Sequence, residues 1–131
     1  MNRKKKTPTY EYTNTHPNEI KTIGDCVFRA ISIATGKSWL EVYDELCEMG
    51  RELLAPPNDG ETYKCYLDGI ADRILVKVDR KRLTGKDLAK RKDGKTYVLR
   101  LANHVATVKD GKVRDTWDSG NKSAYIVWVL R

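Results

Sequence analysis

The chain has 131 residues, of which 40% are hydrophobic and 33% charged. These values fit one soluble globular domain and exclude a disordered chain. No window approaches the roughly 18 apolar residues of a membrane span, and the basic N-terminus is not followed by an apolar signal-peptide segment. We therefore expect a cytoplasmic protein without a membrane partner. Three cysteines without paired spacing favour neither a disulfide framework nor a zinc site, and we predict no metal or cofactor.

The net charge of +7 is concentrated in two places. Residues 3–6 are all basic, and residues 79–95 contain eight basic and three acidic side chains. Such clusters can bind phosphates, so nucleic acid is a candidate partner through weak binding. The alternative is a solvated tail and a charged surface loop, because the aromatic ladder of single-strand binders is missing. These features leave the oligomeric state open.

The N-terminal region is polar and contains two prolines, so we predict a basic, extended arm over residues 1–22 and a single domain over residues 23–131. The domain begins with a helix from about Cys26 to Thr35, in which apolar residues recur on most faces. Gly36 is placed to end this helix.

A capping box of Ser38 and Glu41 predicts the start of a second helix. The apolar face of this helix is predicted to contain Trp39, Val42, Tyr43, Leu46 and Leu53. Cys47 lies within the helix, and Cys65 lies in a short helical turn predicted over residues 65–71. We expect both of these thiols to be packed in the interior.

The rest of the chain alternates in hydrophobicity and is rich in β-branched and aromatic residues, which is typical of strands. The predicted strands are residues 73–78, 96–102, 104–109, 112–117 and 124–130. A small helix is predicted over residues 84–90, inside the basic segment. Helices followed by strands indicate an α+β fold, with N-terminal helices packed on a mostly antiparallel sheet of about five strands.

Cys26 stands at the predicted start of a helix, where backbone N–H groups and the macrodipole lower the pKa of a thiol. A thiol nucleophile also needs a base and a group that orients the base. His16 lies in the polar arm and is expected to face solvent, whereas His104 opens a strand. The alternative is that Cys26 is a buried thiol and His104 a structural histidine.

The Asp-Gly pair at 110–111 predicts a two-residue hairpin turn, in which the numbers of opposed residues sum to 221. His104 then lies opposite Trp117 and diagonal to Asp115, on one face of the sheet. Asp115 could fix the tautomer of the imidazole, and Trp117 could limit the access of water. A three-residue loop would instead place Asp118 opposite His104.

The order of these residues resembles the papain-like cysteine peptidases. In that family a cysteine opens a long buried helix, a histidine follows on a strand, and the third member commonly stands in an Asn-Ser-Trp context, which "DTW" at 115–117 echoes. "GDCVFRAI" also resembles the cysteine box of ovarian-tumour-type deubiquitinases. Residues 24–36 and 103–128 are similar to small uncharacterised papain-fold proteins of bacteriophages and their bacterial hosts.

The resemblance implies a compact papain-like domain and a cysteine peptidase, or a related thiol hydrolase or transferase, that acts on a peptide or isopeptide bond of a peptide or protein substrate. It assigns Cys26 as nucleophile, His104 as general base and Asp115 as orienting residue. Papain-like enzymes place an oxyanion-hole glutamine about six residues before the cysteine, where this chain has Ile20.

Asn18 or Thr22 could supply the missing oxyanion donor, or backbone N–H groups near Cys26 could suffice. The alternative function is that of a catalytically inert papain-fold module that binds nucleic acid or a protein through its basic segments.

Overall fold

The computed structural model describes residues 6–20 and 23–131, which form four helices and nine strands. The helices are α1 (Cys26–Thr35), α2 (Trp39–Leu53), α3 (Gly60–Ile70) and α4 (Gly85–Arg91). The strands are β1 (Lys6–Thr7), β2 (Tyr10–Tyr12), β3 (Ala71–Ile74), β4 (Lys77–Val78), β5 (Lys81–Arg82), β6 (Tyr97–Leu101), β7 (His104–Lys109), β8 (Lys112–Asp115) and β9 (Ile126–Leu130). The α+β class expected from the sequence is confirmed.

Seven of these strands form one sheet in the order β1-β2-β8-β7-β6-β9-β3, and β4 and β5 form a separate hairpin. Every pairing is antiparallel except the parallel pair of β2 and β8. The predicted number of about five strands is therefore too low. The run at 73–78 divides between β3 and β4, while β1 and β2 come from the polar N-terminal region.

In the N-terminal region, which we expected to be an extended arm, β1 and β2 form a hairpin that joins the seven-stranded sheet. Tyr10 is only 1% exposed, and its hydroxyl donates a hydrogen bond of 3.1 Å to the backbone carbonyl of Asp115. The predicted contributions of Arg3, Lys4, Lys5 and Thr22 lie outside the described residues. Within the part of the chain that the structure covers, no helix combines the length and the apolar character needed to cross a membrane.

Helix α1 has the bounds that the sequence predicts, and it ends at Gly36, whose φ of 78° requires the left-handed region that glycine tolerates. The helix lies along β7 and runs in the same direction. The hydroxyl of Thr107 donates to the carbonyl of Ala30 (2.6 Å), and the ammonium of Lys109 donates to the carbonyl of Ile33 (3.0 Å). Because helix and strand run together, the first residue of α1 lies beside the first residue of β7.

Helices α2 and α3 differ in part from the prediction. The capping box of α2 is present, and Val42 and Leu46 are buried as expected, but Tyr43 and Leu53 are exposed. Helix α3 begins at Gly60 because the Asp59 side chain caps it, accepting the backbone N–H of Glu61 at 2.9 Å.

The expectation that both helical cysteines are buried is wrong. Cys47 is half-buried, and Cys65 is exposed. The longer α3 places its buried face on Thr62, Tyr63, Tyr66 and Leu67, and Cys65 lies outside that face.

The sheet separates two clusters of buried side chains. Helices α1, α2 and α3 pack on one face, where they meet Val98, Val105 and Trp128. Helix α4 packs on the other face, against a cluster that includes Leu99 and Leu101. Alternation along β6 explains the division, because successive side chains of a strand point to opposite faces.

Candidate active site

Cys26 is the first residue of α1 and is half-buried. The preceding residue, Asp25, occupies the N-cap position but makes no side-chain cap hydrogen bond. Its carboxylate pairs instead with Arg29 and accepts the indole N–H of Trp39 at 3.0 Å. The first turn of the helix therefore keeps its partial positive charge, without a carboxylate cap, at the position of the thiol.

His104 and Asp115 are brought together by the hairpin of β7 and β8. The paired residues Thr107 and Arg114 have the register in which opposed numbers sum to 221, so the predicted register is confirmed. His104 Nε2 and Asp115 Oδ2 are 2.6 Å apart, within the hydrogen-bonding range expected for an orienting residue. The Asp118 carboxylate instead accepts the backbone N–H of Gly120 at 3.1 Å, so Asp118 shapes the following turn.

The Asp115 carboxylate is 4% exposed and is surrounded by donors. The hydroxyl of Ser119 donates to Oδ2 at 2.8 Å, and the backbone N–H of Thr116 donates to Oδ1 at 2.7 Å. The Arg29 guanidinium lies 3.8 Å from Oδ1. These contacts hold the carboxylate in one orientation, and it in turn holds the imidazole ring.

Arg29 connects the two ends of this arrangement, because it also forms an ion pair with Asp25 within α1. The side chain is buried between the two carboxylates, Asp25 and Asp115. This role was not predicted from the sequence, although an arginine inside the apolar run "CVFRAISIA" indicates a buried ion pair. A guanidinium at a buried helix position needs carboxylate partners.

The pKa of the Cys26 thiol lies below its usual value. Burial is the largest single effect and raises this pKa, but a hydrogen bond with His104, one from the Val105 backbone and nearby positive charges together lower it by more. The positive charges of His104 and Arg29 act in the same direction. The sulfur is therefore disposed to exist as a thiolate, which is the nucleophilic form.

The pKa of His104 is raised to about 9. Burial lowers this pKa, but hydrogen bonds with Asp115 and Cys26, together with their charges, raise it by more. Because Nε2 faces Asp115, the Nδ1 side of the ring is the side available to Cys26. Each shift favours the charged form of its group, so together the two shifts favour a thiolate beside an imidazolium.

Trp117 contacts the site as the sequence predicts, with its ring centroid 4.9 Å from that of His104. The side chain is 43% exposed, so it lies at the protein surface beside the imidazole ring.

The expectation that His16 faces solvent is wrong, because this residue is 9% exposed. Its ring packs edge-on against Trp39 at a centroid distance of 5.0 Å. Its Nδ1 accepts the backbone N–H of Asn18 at 3.0 Å, which fixes the local turn. This contact was not predicted, because the segment around His16 is polar and its packing partner, Trp39, lies further along the chain in α2.

A cavity of about 220 Å³ opens beside Cys26 and His104. Its other lining residues are Gly24, Val27, Asn58, Tyr63, Arg100, Leu101, Asn103 and Val105. Among the described residues, Asn18 is exposed and is not part of this lining. No local signal marks Asn58, Tyr63 or Arg100 in the sequence, because they come from a loop, a helix and a strand that meet only in the folded chain.

Within residues 6–20 and 23–131, no group of three or more histidine, cysteine, aspartate or glutamate side chains is arranged to hold a metal ion. The chemistry available at the site is that of the thiol, the imidazole and the carboxylates. No family model, no curated protein and no solved structure matches the chain. The function proposed below therefore depends on the local geometry of the site.

Proposed function

We propose that this chain is a papain-like cysteine peptidase, or a related thiol hydrolase or transferase, that acts on a peptide or isopeptide bond through Cys26, His104 and Asp115. The observation that carries the proposal is the continuous series of contacts from Cys26 to His104 and from His104 to Asp115. A nucleophile, a base and an orienting group in that order are what acyl transfer by a thiol requires.

In this mechanism the Cys26 thiolate attacks the carbonyl carbon of the substrate and forms a tetrahedral intermediate. The His104 imidazolium then gives its proton to the leaving amine, and a thioester with Cys26 remains. Water, or another amine in a transferase, attacks the thioester carbonyl while His104 accepts its proton. The C–S bond then breaks, which releases the acid or the new amide and restores the Cys26 thiolate and the His104 imidazolium. Asp115 keeps the imidazole in position throughout, through the 2.6 Å contact to Nε2.

The developing oxyanion needs hydrogen-bond donors. The backbone N–H of Cys26, at the uncapped first turn of α1, is one candidate donor. Asn18 remains the side-chain donor predicted from the sequence, and Asn58 is a second candidate because it lines the cavity beside Cys26. Both residues carry a carboxamide group, whose N–H₂ can donate to the oxyanion.

A second candidate function is binding of nucleic acid or of a protein partner by an inert scaffold. One observation favours it: all eight basic side chains within residues 79–95 are exposed. A module of this kind would use the charged surface and would not need the contacts among Cys26, His104 and Asp115.

The test is turnover of a fluorogenic peptide and isopeptide library by the wild-type protein and by Cys26→Ala. Cys65→Ala is the matched control, since it removes an exposed thiol outside the site. We expect cleavage that Cys26→Ala abolishes and that Cys65→Ala leaves unchanged. Equal cleavage by Cys26→Ala would contradict the proposal, and so would a library left intact by a wild-type protein that binds nucleic acid.

A further inference from the structure

Arg100 brings a positive charge to the wall of the cavity beside Cys26. It is the fourth of the five residues of β6 and lies between Leu99 and Leu101, which both belong to the cluster on the α4 face. By alternation, Arg100 belongs to the opposite face, the one covered by α1, α2 and α3. The charge is thus placed on the same side of the sheet as the first turn of α1.

The contacts of the Arg100 guanidinium are aromatic and neutral. It interacts with the hydroxyl of Tyr63 on one side. On another side it lies 5.8 Å from the centroid of the Tyr125 ring. Two rings therefore hold the side chain, but neither neutralises its charge.

No carboxylate within the described ranges lies within 4.0 Å of this guanidinium. Arg100 contrasts with Arg29, which has two carboxylate partners, Asp25 and Asp115. A guanidinium presents five N–H donors, and the Tyr63 hydroxyl can accept only part of them. The remaining donors are available to a ligand in the cavity.

The other charged groups of the cavity wall are Cys26 and His104, whose charges oppose one another in the thiolate–imidazolium pair. Arg100 is then the remaining formal charge among the described lining residues. A half-buried positive charge without a counter-ion attracts an anion, and planar guanidinium geometry matches a carboxylate in particular.

We propose that Arg100 forms a carboxylate-binding subsite, and that the substrate carries a carboxylate close to the acyl group that Cys26 attacks. This inference rests on the proposed function and specifies its substrate class. The carboxylate has two sources, the side chain of an acidic residue next to the scissile bond or the free C-terminus of a peptide. Both would be held by paired N–H···O hydrogen bonds from the guanidinium.

The test measures binding of short peptides to Cys26→Ala, which cannot turn them over, by following the backbone N–H signals of the lining residues Asn103 and Val105 in NMR titrations. One arm compares acetyl-Ala-Glu-Ala-amide with acetyl-Ala-Gln-Ala-amide. The other arm compares acetyl-Ala-Ala-Ala with a free carboxylate and the same peptide as an amide. In one of the two arms, we expect the carboxylate peptide to bind at least about tenfold more tightly than its neutral counterpart. That arm identifies the source of the carboxylate.

Two further variants, each made in the Cys26→Ala background, assign the preference to one residue. Arg100→Met should remove it. Arg82→Met is the matched control, because Arg82 also lies over the Tyr125 ring, at 4.8 Å, but is not part of the cavity lining. The control should keep the full preference. A preference that survives in the Arg100→Met protein would overturn the assignment.

Equal binding of charged and neutral peptides in both arms would also overturn the subsite, and this result does not depend on whether Arg100→Met folds. Failure of the subsite is separable from failure of the proposed function. Cleavage of neutral peptides by the wild-type protein would sustain the hydrolase while rejecting the subsite. A carboxylate preference in Cys26→Ala would stand even if the wild-type protein cleaved nothing.

Discussion

At the scale of single residues, the Asp115 carboxylate is the group on which the site geometry most depends. His104 and Ser119 share Oδ2, while the N–H of Thr116 and the Arg29 guanidinium face Oδ1. Both oxygens therefore act as acceptors. An asparagine has one acceptor oxygen and one N–H₂ group, so either orientation of its amide would direct a donor at donors.

We expect Asp115→Asn to lower the free energy of unfolding by roughly 1–3 kcal/mol, because buried donors lose their acceptor. It should also lower the pKa of His104 from about 9, since the Asp115 hydrogen bond and charge help to raise that pKa. Urea unfolding and an NMR titration of the His104 ring measure the two effects.

Asp118→Asn is the control for this prediction. The Asp118 carboxylate is exposed, and its described hydrogen bond is to the backbone N–H of Gly120. The change should alter the free energy of unfolding by no more than about 0.5 kcal/mol and leave the His104 pKa in place. If Asp118→Asn changes the His104 pKa more than Asp115→Asn does, then Asp118, and not Asp115, orients the imidazole.

The pKa shifts also predict the pH dependence of Cys26 alkylation by iodoacetamide. The thiolate is present above the lowered Cys26 pKa, and the imidazolium persists until pH rises through about 9. At pH 6 Cys26 should therefore be thiolate to a larger fraction than a thiol in an unstructured peptide, whose pKa is about 8.5, and should react faster than that thiol. Mass spectrometry of the labelled peptides gives the rate at each cysteine.

Cys65 is the internal reference for this measurement. Because Cys65 is exposed and Cys26 is half-buried, accessibility to the reagent alone would make Cys65 react faster. Faster labelling of Cys26 at pH 6 would thus report its ionisation. His104→Ala removes the hydrogen bond and charge that lower the Cys26 pKa, so it should slow labelling of Cys26 by about tenfold or more at that pH. Labelling of Cys65 ahead of Cys26, or an unchanged rate in His104→Ala, would contradict the assigned pair.

At the scale of elements, the β7–β8 hairpin places His104 and Asp115, and its turn fixes the register. Asp110 and Gly111 both have positive φ values, 53° and 71°, as a two-residue hairpin turn requires. A Cβ at Gly111 would meet its nearest neighbour, Lys92 Cγ, at 3.5 Å, an ordinary contact. The penalty of Gly111→Ala is therefore conformational.

We expect Gly111→Ala to lower the free energy of unfolding by about 1 kcal/mol or more. Gly69→Ala is the opposite case, because Gly69 lies in α3 with no atom within 4 Å of the added Cβ, so helix propensity should make it neutral or stabilising. Urea denaturation of both variants checks the difference in sign. The folded fraction of Gly111→Ala should keep the Cys26 labelling rate, and a stabilised Gly111→Ala would disprove the turn assignment.

The elements that the sequence predicts correctly are those with local signals. A glycine in the left-handed region ends α1, a capping box begins α2, and an Asp-Gly turn sets the β7–β8 register. Strand β2 was not predicted because it pairs with β8, about a hundred residues further along the chain, and, among the described residues, β1 pairs only with β2. The polar composition of residues 6–12 contains no local signal for pairing with a strand so far along the chain.

At the scale of the whole molecule, the candidate site exists because helix α1 and strand β7, which are far apart in the sequence, run side by side in the fold. Helix α1 supplies Cys26 and Arg29, and the sheet supplies His104 and Asp115. The pattern of the hairpin was enough to predict the histidine and the aspartate together. The cavity wall was not predictable, since Asn58, Tyr63 and Arg100 share no spacing and meet only after α3 and β6 pack.

The distribution of basic residues predicts how strongly the chain binds nucleic acid. The two clusters of basic side chains lie at residues 3–6 and within residues 79–95, and the α4 part of the second cluster packs on the face of the sheet opposite α1. Binding to DNA or RNA should therefore be weak, independent of sequence and strongly reduced by salt, since it depends on counter-ion release. Deletion of residues 1–6 should weaken it and reduce its salt dependence without changing the Cys26 labelling rate.

Fluorescence anisotropy with labelled oligonucleotides, from about 50 to 200 mM salt, measures this dependence. Lys81→Glu with Lys90→Glu should weaken binding further, because both side chains are exposed within the basic segment. Arg51→Glu, an exposed charge reversal at the end of α2, is the control and should have a smaller effect for each charge. Tight binding that persists at high salt would require contacts other than these phosphate contacts, and it would favour the binding module over the thiol hydrolase.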